Sequence, residues 1–305
     1  MRQKILIANW KMNADFVSIT KFFANIKEFE KVKVMIAPSY LGLVPSMSAA
    51  ANKDIEIISQ NVSLPSLGNH TGSVSWIELK DYGVSTTFVG HPDVKVDFRE
   101  QNYHCNEKLV KLLKNGMKAV LFVEETRTDL SKDSTKENIK FQINQLLEKI
   151  TGPELLNNIY LVYKPTFVGE IGIKPDVDFI FDTIKIIREH LRIKFGYYIG
   201  NNIPILYGGE IVNEDLEKIC HNNDLDGVLV EDERALSFKF ITVVYKHLLN
   251  GSKNSYVQHY EHNVVVELPT EEQRIKDATK TLDFDIYDIN TEVYFKDIKI
   301  EEEEI

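Results

Sequence analysis

The chain has 305 residues, 43% hydrophobic and 10% aromatic, which is enough apolar content for one large or two ordinary domains and too much for general disorder. Its formal net charge of −10 argues against nucleic acid or an anionic membrane as partner. Two cysteines, Cys105 and Cys220, form neither a disulfide framework nor a zinc site, so a reducing cytoplasm is the expected compartment.

In chain order, KILIANW from Lys4 reads as a first strand, and its apolar run is too short for a signal peptide. FVSITKFFANIKEFE then sets Phe16, Ile19, Phe23, Ile26 and Phe29 near one helical stripe. Short apolar runs follow as VKVMIAP from Val32, IEIISQN from Ile55, TTFVGH from Thr86 and KAVLFVEE from Lys118. After a helical KENIKFQINQLLEKI comes IYLVYKP from Ile159; after a helical VDFIFDTIKIIREHL come IPILYGG from Ile203 and DGVLVED from Asp226. Each of these eight runs is continuously apolar rather than alternating, as strands of a helix-covered parallel sheet should be. Eight strands alternating with helices predict an α/β fold, the (β/α)8 or TIM barrel, over residues 1–250. A doubly wound open sheet competes, but no strand leads into a Gly-x-Gly-x-x-Gly turn.

Residues 251–305 are different. They hold six Lys/Arg and fourteen Asp/Glu, a balance of −8, against 30 basic and 32 acidic residues, −2, in the first 250. NGSKNS at 250–255 reads as a linker, and HNVVVELP and FDIYDINTEVYFKDIKI alternate with period two, predicting a β-rich acidic extension. TEEQRIKDATKTL between them reads as a short helix. A protein partner for this extension is one expectation; simple docking on the barrel is another. His259 and His262 stand three apart without further ligands and are expected to be a surface pair, not a metal site.

In a barrel of this kind the chemistry sits where the strands end. Those ends read Asn9 and Lys11; Pro38; Gln60 and Asn61; His91; Glu124 and Glu125; Lys164; Gly208, Gly209 and Glu210; Glu231 and Asp232. In this order, ANWKMN, SQN, NHTGSVS, VGH, YKP, YGGE and DGVLV resemble the triosephosphate isomerase family, from residue 2 to about 249. The resemblance implies interconversion of dihydroxyacetone phosphate and glyceraldehyde 3-phosphate without a cofactor or metal. That family is a standard illustration of tuned acid and base groups. It assigns Asn9 and Lys11 to substrate and His91 to polarising the carbonyl. Pro92 suits the first position of a helix whose N-terminus would keep the imidazole neutral. Asp93 stands where the family has a glutamate. Thr71 matches a residue that the family inserts into a neighbouring subunit, which implies a homodimer.

The pattern then breaks. Lys164 occupies the position of the family's glutamate base. From a reference pKa of about 10.4, only roughly one lysine in a thousand is neutral at pH 7, and about 4–5 kcal/mol would be needed to lower it to 7. The phosphate-site positions are altered as well: Glu170 in the lid, Glu210 after the strand-seven glycines, and Glu231 and Asp232 in place of a glycine pair. Like charges 4 Å apart cost about 4 kcal/mol at an effective dielectric of 20, so these acids oppose a phosphate dianion. The expectation is that Lys164 pairs with Glu210 or Glu170 across the old pocket. Three functional readings follow: an isomerase that needs a replacement base (Glu124, Glu125 or Glu170), a non-catalytic barrel, and a Schiff-base lyase using Lys164.

Overall fold

The computed structural model describes residues 2–26, 29–126, 128–129, 134–168 and 175–251, and the backbone onward to Glu261. Eight parallel strands stand where the apolar runs predict them: β1 (Lys4–Asn9), β2 (Val32–Ala37), β3 (Ile55–Ile57), β4 (Thr86–Val89), β5 (Lys118–Glu125), β6 (Ile159–Pro165), β7 (Ile205–Tyr207) and β8 (Gly227–Glu231). Their order is β3-β2-β1-β8-β7-β6-β5-β4. The remaining seam between β3 and β4 is drawn together by Ser59, whose N–H donates to Thr86 O at 3.1 Å and whose carbonyl accepts from Phe88 N–H at 2.9 Å. The architecture is the (β/α)8 barrel.

Helices connect the strands, and local chemistry sets several of their starts. The Asp15 carboxylate accepts from Ser18 N–H at 2.7 Å ahead of the helix Phe16–Asn25. Ser75 and Glu78 form a reciprocal capping box around the start of Trp76–Asp81. The apolar stripe of the first helix buries Ile19, Phe22 and Phe23. There Trp10, fully buried, meets both phenylalanine rings edge-on and donates its indole N–H to Ala235 O at 2.9 Å. Such aromatic pairs add about 0.5–1.5 kcal/mol beyond area burial.

Side chains alternate between the two faces of a strand. Ile5 and Ile7 on β1, Phe122 on β5, Val162 on β6, Leu206 on β7 and Leu229 on β8 belong to one buried cluster inside the barrel. A larger cluster lies between strands and helices. Counting on by two from the inner positions reaches Asn9, Glu124, Lys164, Gly208 and Glu231 at the strand ends. The parity of the barrel core therefore aims these residues at its mouth.

The C-terminal helix runs from Phe238 to Glu261, straight through NGSKNS. The composition reads as a linker, but Gly251 has a packing reason to be there: a Cβ on it would lie 2.6 Å from the Cys220 carbonyl oxygen. The glycine lets this helix press against Asn213–His221, and tertiary contact overrides local propensity. The predicted strands and short helix of the extension, and His262, lie outside the described residues. Among the described residues, no helix is long and apolar enough to cross a membrane.

Candidate active site

Four elements bring their ends together at the mouth. β1 supplies Asn9 and the turn after it Lys11, the turn after β4 supplies His91, β6 supplies Lys164 and β8 supplies Glu231. Glu231 is the hub. Its Oε1 lies 2.6 Å from His91 Nε2 and accepts from Asn9 Nδ2 at 3.0 Å. Its Oε2 pairs with Lys164 Nζ and lies 3.7 Å from Lys11 Nζ. The Lys164 ammonium also donates to Gly208 O at 3.2 Å. His91, Asn9 and Glu231 are all buried, at 4%, 3% and 9% exposure, so these bonds form away from bulk water.

The tautomer of His91 follows from its other nitrogen. His91 caps the helix Pro92–Asp97, and its Nδ1 accepts from Asp93 N–H at 3.1 Å. A nitrogen that accepts carries no proton, so Nε2 carries it and donates to Glu231. Pro92 occupies the first turn as its sequence position predicts.

Lys11 sits in the left-handed region, at φ +48. Its N–H donates to Asn9 Oδ1 at 3.2 Å, and Gln60 Nε2 donates to its carbonyl at 2.9 Å. These bonds hold a backbone that costs of order 1 kcal/mol. The ammonium lies 3.1 Å from Asp93 and 3.2 Å from Asp232. Asp232 itself has φ +64, so a conformation natural to glycine is kept by an acidic residue.

Charge balance decides the protonation. Burial alone would raise the Glu231 carboxyl, but the His91 hydrogen bond and the ammonium charges of Lys164 and Lys11 outweigh it and hold Glu231 well below the usual carboxylate range. Burial lowers Lys11, yet Glu231, Asp93 and Asp232 more than compensate and raise it. The mouth is thus an ionised network with its carboxylate firmly anionic.

Glu231 also divides the space. One cavity of about 400 Å³ is lined by Lys164, Gly208, Gly209, Glu210, Glu231 and Arg234 among others. A second, also about 400 Å³, is lined by Asn9, Gln60, His91 and Asp97. Lys11, Asp93 and Asp232 line both, and the His91–Glu231 bond lies between them.

The expected partner of Lys164 needs correcting. It is Glu231, not Glu210. β6 and β8 are alternate strands, whose inward side chains share one layer of a barrel, whereas Glu210 is exposed beyond the end of β7. Glu170, the other expected partner, lies outside the described residues. The candidate replacement bases on β5 are engaged elsewhere. Glu124 pairs with Lys95 at 2.9 Å. Glu125 accepts from Tyr163 and Thr135 hydroxyls, and burial raises its carboxyl. Neither lines either cavity. Thr71 is exposed. Burial, with Glu100 beside it, pushes the Cys105 thiol up to about 12, so it is not an activated nucleophile. The role of Glu231 as hub was not read from the sequence. The signal was present in its even spacing from the buried Gly227 and Leu229.

The model of triosephosphate isomerase as a family matches residues 4–246. The chain belongs to the triosephosphate isomerase family. It is 29% identical to the triosephosphate isomerase of Thermodesulfovibrio yellowstonii over 248 residues, covering 80% of this chain and 99% of that protein. The Mycoplasma genitalium triosephosphate isomerase is 30% identical over 233 residues, 75% of this chain and 93% of its own. That of Buchnera aphidicola is 29% identical over 258 residues, 82% of this chain and all (100%) of the relative. Within the triosephosphate isomerase framework, this chain carries a cation at the end of β6 and a carboxylate at the end of β8.

Proposed function

We propose that this chain is a triosephosphate isomerase homologue in which isomerisation is suppressed and the barrel serves a binding or scaffolding role. One observation carries the reading: the Glu231 carboxylate is bound by His91, Asn9, Lys11 and Lys164. Asn9, Lys11 and His91 are the groups that the family resemblance assigns to substrate. Lys164 at the base position is an ammonium paired to Glu231, and an ammonium accepts no proton. Glu231 is itself a poor base, because proton transfer efficiency follows basicity and its carboxyl is held low. Asp93, Glu210, Glu231 and Asp232 border the cavity where a phosphate dianion would go, and each like-charge contact near 4 Å costs about 4 kcal/mol at an effective dielectric of 20.

Coupled turnover of dihydroxyacetone phosphate by the purified chain tests this. The expected result is a rate orders of magnitude below an ordinary family member; a near-normal rate would overturn the reading. The Schiff-base alternative is disfavoured by the same geometry, because the Lys164 nitrogen is committed to Glu231 and to Gly208 O and is not free to attack a carbonyl. Borohydride trapping of an imine lost in Lys164→Ala would revive it.

The same reading takes the chain as a cytoplasmic homodimer. Cys105 and Cys220 are buried free thiols, which suits a reducing compartment. Met12, Phe16, Leu41 and Leu67 are exposed by 93%, 70%, 93% and 66%, and the first three border one apolar groove. Apolar surface of this kind marks an interface. Thr71 lies in the same loop as Leu67, where the family resemblance puts the inter-subunit contact. Sedimentation of Leu41→Asp tests the dimer: a shift to monomer is expected, and a wild-type chain already monomeric would refute it. Residues 251–305 form an acidic appended segment whose partner would be a protein.

A further inference from the structure

The donors around Glu231 converge on one two-oxygen anion. Oε1 takes His91 Nε2–H and Asn9 Nδ2–H, while Oε2 faces the ammonium groups of Lys164 and Lys11. None of these donors belongs to β8; they come from β1 and the turn after it, from β6 and from the turn after β4. The imidazole is fixed by Asp93 N–H at 3.1 Å, and the loop of Lys11 is held by Gln60. The cradle is therefore built without the side chain that fills it. Glu231 has an ordinary extended backbone, φ −123 and ψ 175, so smaller residues fit that position without strain. A cavity of about 400 Å³ opens on either side, leaving room for the rest of a ligand. Arg234 lines the cavity on the Lys164 side and offers a displaced Glu231 another cation.

We propose that the barrel mouth is a receptor for a single carboxylate group, filled in the resting chain by Glu231 and open to a small carboxylic acid when that side chain leaves. A monocarboxylate matches the donor set: two oxygens, each with a neutral or cationic donor pair. A phosphate dianion does not, because its second charge would face Asp93 and Asp232, which already border both cavities. The inference rests on the reading that the mouth is not arranged for turnover, and it specifies the ligand class.

The probe is acetate, titrated into the full chain and into Glu231→Ala, with binding followed by calorimetry and by thermal shift. Glu231→Ala should bind acetate saturably, with a Kd roughly tenfold or more below that of the unmodified chain, since the internal competitor is gone. The His91 Nε2–H resonance, bonded in the unmodified chain, should weaken in the variant and return on adding acetate. Glu231→Ala/Lys164→Met should lose roughly tenfold of the gained affinity, and inorganic phosphate should bind more weakly than acetate. No gain in Glu231→Ala, or equal binding with Lys164 absent, would overturn the proposal. Glu231→Gly is the second variant, and failure of both to fold even at saturating acetate would also overturn it, because the cradle would then not be pre-formed. Near-normal turnover by the unmodified chain would instead sink the suppressed-isomerase reading, an outcome read independently of acetate binding.

Discussion

Removing either partner of the Lys164–Glu231 pair should cost far more than removing both. The two side chains are 14% and 9% exposed, so the pair is close to a buried one. Breaking a buried pair by deleting one member typically costs about 3–5 kcal/mol, because a charge is left without its partner, whereas apolar replacement of both is often near neutral. Glu231 keeps His91, Asn9 and Lys11 after Lys164→Met, which places this variant at the low end, about 3 kcal/mol. Glu231→Leu strands the Lys164 ammonium beside Gly208 O and should cost a similar amount, about 3 kcal/mol. Lys164→Met/Glu231→Leu should cost only about 1–2 kcal/mol, a coupling of several kcal/mol. Each kcal/mol moves the midpoint of a domain this size by about 2–4 °C, so either single variant should melt roughly 6–12 °C lower. Chemical denaturation of the four chains gives the cycle. Single costs that add to within about 0.5 kcal/mol would show that the side chains do not interact, and the reasoning would fail.

Other predictions follow from the same geometry. The folded Glu231 carboxyl lies below the unfolded value of about 4.3, so its stabilisation is complete above that pH and is lost as pH falls through the folded value. Acid melts should steepen below about pH 4 in the unmodified chain and flatten in Glu231→Gln. Glu125 has the opposite sign: burial raises its folded carboxyl, so stability falls as pH rises through that value. Glu125→Gln, which still accepts from Tyr163, should therefore raise the melting midpoint more at pH 8 than at pH 5; an equal effect at both would contradict the assignment. At Asp232, with φ +64, both Asp232→Gly and Asp232→Ala lose the contact to Lys11, but glycine should be more stable than alanine by about 1–2 kcal/mol. Equal denaturation midpoints would show that the backbone there is not strained.

Much of this was legible in the sequence, and the parts that were not have physical reasons. The eight continuously apolar runs sit where the strands are, because a strand covered on both faces leaves no polar alternation. The placement of Asn9, Lys11 and His91 at the strand ends was legible from short motifs, and the helix that starts after His91 from Pro92; the cap that fixes the ring was not. The partner of Lys164 was not. Glu210, Glu231 and Asp232 are all acids at or just past strand ends, and only the inward parity of β8, set by buried Leu229, separates Glu231 from the others. Gly251 misled in the other direction. Its neighbours look like a linker, and the close approach to Cys220 that requires a glycine is a contact between helices far apart in sequence.

The central claim is that the mouth of this barrel is occupied by its own carboxylate and closed to a phosphorylated substrate. Calorimetric titration of the unmodified chain with a phosphate-bearing mimic of the enediolate tests it most directly. The account predicts no saturable heat; tight one-site binding, with Glu231 displaced when that complex is crystallised, would contradict it.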